Sequence, residues 1–255
     1  MLGTITGDII GSRFEKNNHR SLDFELFHSD CRFTDDTVLT VAVAQAILEE
    51  MPYGLLVREY ARAHPFAGYG GTFKKWMLGL INGAYNSWGN GSAMRVSAVG
   101  WAFNDLEQVL TEARKSAEIT HNHPEGVKGA QAIATAIFLA RKGKSKQAIK
   151  TYITETFAYN LDRTIADIRP EYRFDVSCQG SVPEAIIAFL EAEDFEQTIR
   201  LAISLGGDSD TIAAMAGGIA EAYYGGIPTK LENEVRKRLP EDFLRVIHRF
   251  YQRFI

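Results

Sequence analysis

Two short runs in this chain have the residue types for metal chemistry. Thr34-Asp35-Asp36-Thr37 sets two adjacent carboxylates between two hydroxyls, directly ahead of the apolar run Val38 to Leu48. Far downstream, Gly206-Gly207-Asp208-Ser209-Asp210-Thr211 repeats the formula before another apolar, Ala-rich segment. Carboxylate and hydroxyl oxygens without His or Cys suit Mg²⁺, Mn²⁺ or Ca²⁺, not zinc or copper. Adjacent residues on a helix point ~100° apart and residues two apart ~200° apart, so neither pair can aim at one ion from a helix interior. At a helix start the backbone can turn both inward, and Gly206-Gly207 supplies the freedom for positive φ. Capping is the competing reading, because Asp and Thr at a helix N-terminus satisfy backbone N–H groups and complement the dipole. Two matching clusters, each heading a nearly all-apolar helix, favour the cation site, since buried charge is costly without a partner. Four such carboxylates without a cation would repel and raise their pKa values.

The elements that must position these clusters are helices. Residues 3–15 are apolar with Gly at 3, 7 and 11, a spacing that stacks the glycines on one helical face and lets another backbone come close; the helix is expected to end near Glu15. Lys16 to Arg32 reads as loop. Helices are predicted over 35–50, 53–63, 72–81, 93–101, 105–119, 126–141, 145–157, 183–191, 194–205, 210–224, 230–238 and 241–253, with Asn82–Ser92 and Ser177–Ser181 as loops. The helices at 35–50 and 210–224 have hardly a polar stripe and are expected at the centre, with the others, about ten helices in all, wrapped round them. No sustained period-2 pattern, linker or internal repeat occurs. The expectation is one all-α domain over 1–255, a compact orthogonal helix bundle around a central two-metal site. Because the Asp clusters lie about 170 residues apart, only the complete fold can assemble it.

Composition removes some alternatives. The 255 residues are 45% apolar and 24% charged, enough for a full-sized core without disulfides or structural zinc. A formal net charge of −4 gives no electrostatic reason to expect a nucleic-acid backbone or an acidic membrane as partner. Cys31 and Cys178 are the only cysteines, read as buried small hydrophobes in a reducing, cytoplasmic setting. No apolar run approaches the ~20 residues that span a bilayer. A monomer is expected.

Five segments together resemble the ADP-ribosylglycohydrolase family: GDIIGSRFE (7–15), FTDDTVLT (33–40), GNGSAMR (89–95), THNHPEGVKGAQAIA (120–134) and GGDSDTIAAMAGGIAEAYYG (206–225). They occur in the family's order. The resemblance implies an all-α fold with two divalent ions, Mg²⁺ or Mn²⁺, as cofactor. Thr34, Asp35 and Asp36 match the first ligand group, Asp208, Asp210 and Thr211 the second, and Glu15 a mobile acidic ligand. Asn90, Gly91, Ser92 and Met94 match a loop supporting ribose and diphosphate, and His121 a position lining the diphosphate or distal ribose.

The implied activity is metal-dependent hydrolysis of the bond linking ADP-ribose to a protein side chain or small acceptor, with an ADP-ribose conjugate as partner. Glu15, Asp35 or Asp36 could accept the proton of an attacking water. Tyr69, Trp76 and Trp88 could stack on adenine, though taken alone they read as core. Nothing acidic occurs between Glu59 and Asp105, where a guanidinium-holding acid would be expected, so linkages other than arginine (serine, nucleobase, O-acyl) stay open. Competing classes are a non-catalytic ADP-ribose-binding or structural relative, against which the intact ligand set argues, and a two-metal phosphoester or pyrophosphate hydrolase.

Overall fold

In a computed structural model describing residues 1–255, the chain forms α-helices α1 (Leu2–Gly11), α2 (Asp35–Glu49), α3 (Tyr53–Ala63), α4 (Gly71–Met77), α5 (Ser97–Ala102), α6 (Leu106–Glu118) and α7 (Pro124–Arg141). The second half adds α8 (Lys146–Phe157), α9 (Ile165–Ile168), α10 (Cys178–Glu191), α11 (Phe195–Ser204), α12 (Ser209–Tyr224), α13 (Thr229–Arg236) and α14 (Glu241–Phe254). There is no strand, as an all-α reading requires. One isolated antiparallel bridge joins Gly89 to Ser177, with Asn90 N donating to Val176 O at 2.8 Å.

The glycine spacing of α1 sets the centre. Gly3 lies over Gly217, Gly7 over Ala213 and Gly11 over Asp210, and a Cβ at any of the three would overlap backbone atoms of α12. Two helices that approach this closely gain dense packing that larger side chains would forbid. The start of α1 is held by polar bonds as well: Gly3 N donates to the buried Glu221 Oε2 at 2.8 Å, and Leu2 N to Tyr251 Oη at 3.0 Å. Both α1 and nearly all of α12 are buried, and α2 is buried from Asp36 to Leu48 except Gln45. The centre therefore has three helices, where the sequence suggested two. Buried apolar side chains from Met1 to Phe250 form one contiguous core around them.

Several boundaries differ from expectation for local reasons. Helix α1 stops at Gly11, because Ser12 Oγ turns back onto Ile9 O and takes Arg32 N, bringing in the returning chain. Glu15 thus stands in the loop beyond the helix. α5 begins at Ser97 and not at Ala93: Asn90–Ser92 form a 3-10 turn first, and Met94 O accepts from Thr40 Oγ1. The expected loop at 177–181 is the first turn of α10, capped by Ser177 Oγ accepting Gly180 N at 3.0 Å. Pro183 sits inside that helix, past its first turn, and withholds the N–H that Gln179 O would accept. Both cysteines are buried and unpaired.

Candidate metal centre and its cavity

The starts of α2 and α12 meet, and α1 delivers a fifth aspartate between them. Asp8, given no role on sequence grounds, is fully buried in the middle of α1. Carboxylate oxygens of Asp8, Asp36 and Asp210 lie within 4.8 Å of one another, close enough to share a cation. The two Asp8 oxygens accept from Thr34 N at 2.9 Å, Thr34 Oγ1 at 2.6 Å, Thr37 N at 3.1 Å and Thr37 Oγ1. Asp8 thereby caps α2 from a neighbouring helix and fixes Thr34 and Thr37. The signal for it was an acid in an otherwise apolar helix, one residue past a seam glycine.

The remaining acids divide between bound and open oxygens. Asp36 Oδ2 accepts from Thr211 Oγ1 at 3.2 Å, tying the two clusters together. Asp36 Oδ1 is buried with no partner. Asp208 stands at the N-cap of α12 without a side-chain capping bond, and its Oδ2 accepts from Asn90 Nδ2 at 2.7 Å. Capping therefore does not explain Asp208. Gly206 and Gly207, at φ +72° and +69°, make the turn that brings it inward, and Asn18 Oδ1 holds the Gly207 N–H.

Burial is the leading cause of every shift in the cluster, ahead of the mutual repulsion expected from sequence. It raises Asp8, against the opposing bonds from Thr34 and Thr37. It pushes Asp35 up to about 8, with Asp8 adding to the effect, and Asp208 up to about 6, against the bond from Asn90. Asp36 and Asp210 are raised well above the ordinary carboxylate value by burial and then by neighbouring aspartates. Four buried aspartates and the half-buried Asp35, with Asp36 Oδ1 unpartnered and an oxygen-only donor set, fit a hard divalent cation, which compensates such charge.

A cavity of about 720 Å³ opens on this cluster, a volume suited to a small-molecule ligand. Glu15, Thr34, Asp35, Asp36, Asp208, Asp210 and Thr211 line it, together with Asn90, Gly91, Met94 and His121. Ser92 does not: it is fully buried, and its hydroxyl donates to Gly126 O at 2.7 Å, pinning the loop to α7. Asn90 is engaged with Asp208, so it braces the acidic cluster. His121 is buried, and its ring is held neutral by burial and by the Arg95 charge beside it.

Of the three aromatics read as adenine candidates, Tyr69 and Trp76 are core. Tyr69 stacks on Phe73 at 5.1 Å between centroids, and Arg58 covers Trp76 at 4.2 Å. Trp88 is 49% exposed and lines the cavity beside Phe174 and Val176, which the Gly89–Ser177 bridge brings next to it. Phe66, 98% exposed, also lines the cavity; the neighbouring Ala67 O accepts Asp35 N at 2.8 Å.

Fold and site together define an all-α protein with an acidic, cation-competent centre at the floor of a ligand-sized cavity. The family model described as ADP-ribosylglycohydrolase matches residues 1–255, and the chain belongs to that family of hydrolases. ADP-ribosylhydrolase ARH3 of Xenopus tropicalis is 28% identical, the match covering 99% of this chain and 95% of that protein. The Homo sapiens ARH3 is 26% identical over 99% and 93%. An ADP-ribosylarginine hydrolase, Tri1, of Pseudomonas putida is 27% identical over 58% of this chain and 42% of its own length. A solved structure titled "ADP-ribosylglycohydrolase-related protein complex" shares the fold, with a TM-score of 0.79 at 22% identity over 100% of this chain and 96% of that one. No helix is long and apolar enough to cross a membrane.

Proposed function

We propose that this protein hydrolyses the glycosidic bond linking ADP-ribose to an acceptor, releases free ADP-ribose, and does so with two divalent ions, Mg²⁺ or Mn²⁺. The observation that carries the proposal is the meeting of Asp8, Asp36 and Asp210, drawn from three distant parts of the chain, under a ligand-sized cavity. Glu15, Thr34, Asp35, Asp36, Asp208, Asp210 and Thr211 would hold the ions, with Asp8 and Asn90 keeping Thr34 and Asp208 in place. When bound, the ions would neutralise the acids, orient ribose hydroxyls and acidify a water molecule.

The chain's own residues account for the rest. Breaking an anomeric bond leaves a charge-deficient sugar centre, which nearby carboxylates stabilise. Glu15 lies partly exposed in the loop after α1, and Asp35 on the first turn of α2; either can take a proton from water within the cavity. Trp88 and Phe174 offer flat faces to adenine at the rim, and Gly91 leaves room for the His121 ring.

Acceptor choice follows from what surrounds the acidic floor. The wall from Phe66 to Phe73 carries no carboxylate, while Lys16 and Arg32 put positive charge nearby. That supports a hydroxyl-linked or other uncharged acceptor over arginine, whose guanidinium would meet no bidentate partner outside the metal-holding acids. The test is incubation with Mg²⁺ and arginine-, serine-, nucleobase- and O-acetyl-linked ADP-ribose, with detection of free ADP-ribose. Release from at least one linkage, lost in Asp36→Asn, is expected. No release from any of them sinks the proposal, and AMP plus ribose phosphate as products would move it to pyrophosphate hydrolysis.

A further inference from the structure

Arg95 is a large, fully buried side chain in the cavity wall, and none of the chemistry above uses it. Its Nη2 donates to Ser116 O at 2.8 Å and to Thr120 Oγ1 at 3.0 Å. Nε and Nη1 are buried without partners, and no carboxylate pairs with the guanidinium. An uncompensated buried cation is expensive and needs a reason. One lies two bonds away: Thr120 Oγ1 stands 2.7 Å from His121 Nδ1.

The direction of these bonds follows from donor chemistry. A guanidinium has no acceptor, so Thr120 Oγ1 must accept from Arg95. The hydroxyl keeps one proton of its own, and His121 Nδ1 is its near partner. If Nδ1 accepts that proton, a neutral ring must carry its hydrogen on Nε2. That nitrogen lies against the two loop glycines: a Cβ at Gly91 would fall 3.2 Å from it, and one at Gly89 3.6 Å. Nδ1 makes the ring's one side-chain hydrogen bond, so Nε2 keeps its bonding capacity for the cavity that His121 lines.

We infer that Arg95 and Thr120 hold His121 as its Nε2–H tautomer, so that His121 donates a hydrogen bond from the cavity wall to an anionic group of the ligand. The tautomer assignment stands on the bonding pattern alone; the donor role rests on the ADP-ribose reading, in which the diphosphate is the anion. The Arg95 charge behind the same wall, unpaired with any carboxylate, gives that anion a favourable potential. Arg95 and Thr120 are positioning residues, acting on the ligand through His121. Tyr85 also reaches Thr120. Were the Thr120 proton directed to Tyr85, Nδ1–H would donate to Thr120, and Nε2 would turn a bare lone pair on the anion.

Long-range ¹H–¹⁵N NMR of the ligand-free protein at pH 7.5 distinguishes the two, with the His121 signals assigned by their loss in His121→Gln. A protonated Nε2 and an unprotonated Nδ1 are expected in the wild type. Thr120→Val should shift the ring toward Nδ1–H and weaken ADP-ribose binding, measured calorimetrically, about tenfold, the loss of one good bond to a charged group. Thr120→Ser, which keeps the hydroxyl, should restore both. Nδ1–H in the wild type overturns the inference, and this readout stands even if Thr120→Val fails to fold. Unchanged affinity in Thr120→Val despite a changed tautomer overturns the donor role. A wild type that is Nε2–H yet binds no ADP-ribose upholds the tautomer and defeats the functional reading instead.

Discussion

Asp208→Asn is expected to make the metal-free protein more stable, while destroying its capacity to hold metal. Asp208 is buried at the N-cap of α12, and its carboxyl is raised from 3.8 to about 6, first by burial, then by the charge on Glu15 and against the bond from Asn90. The folded state therefore binds this proton more tightly than the unfolded chain does. Well below pH 3.8 both states are protonated and the carboxyl costs nothing. As pH rises through 4 to 6 the unfolded chain ionises first, and the fold loses stability until both states are ionised. The gap between 3.8 and about 6 corresponds to about 3 kcal/mol above pH 7. Asparagine removes that penalty, and its amide oxygen can still accept from Asn90 Nδ2. Thermal unfolding in EDTA at pH 8 should show a melting temperature higher by roughly 6–12 °C, with the gain shrinking toward pH 4. Saturating Mg²⁺ should raise the wild type only. A variant with native circular dichroism that melts at or below the wild type in EDTA at pH 8 refutes the reasoning.

Other outcomes follow from the same geometry. Gly7→Ala places a methyl on the Ala213 backbone, next to Asp8; it should cost 1–3 kcal/mol or more in urea unfolding and lower metal affinity, whereas Gly70→Ala, with nothing within 4 Å, should change neither. Metal affinity should rise with pH between 6 and 8, because Asp35 and Asp208 are pushed up to about 8 and about 6 and must lose protons to become ligands. Calorimetry in buffers of different ionisation enthalpy should then register proton release on Mg²⁺ binding, falling off above pH 8. Trp88→Ala, removing the exposed indole at the rim, should raise KM for an ADP-ribosyl substrate about tenfold with kcat little changed, in steady-state assays.

What could be read in the sequence was whatever a short segment states by itself. Glycines at 3, 7 and 11 announce a close backbone approach without naming the partner, which proved to be α12. The Thr34-Asp35-Asp36 and Asp208-Ser209-Asp210-Thr211 runs are local sites at helix starts, and the fold brings both to one cavity. Asp8 escaped notice because it has no flanking acid or hydroxyl; its role exists only once Thr34 and Thr37 arrive from another helix. Ser92 shows the reverse error, a hydroxyl in a convincing loop motif whose proton goes to Gly126 O, thirty-four residues away. Arg95 ends the GNGSAMR segment, and its burial without a counter-ion is a tertiary fact that no spacing encodes. Pro183 misled because proline usually stands in a helix's first turn, whereas Ser177 starts α10 earlier.

A titration with Mn²⁺, followed by electron paramagnetic resonance and calorimetry, tests the centre itself. The wild type should bind two ions per chain, and Asp36→Asn, which removes the unpartnered Oδ1 charge at the meeting of α1, α2 and α12, should lose that binding while remaining folded. A wild type that takes up no Mn²⁺ at millimolar concentration, or an Asp36→Asn variant that binds it like the wild type, would contradict the assignment of this cluster as a metal centre.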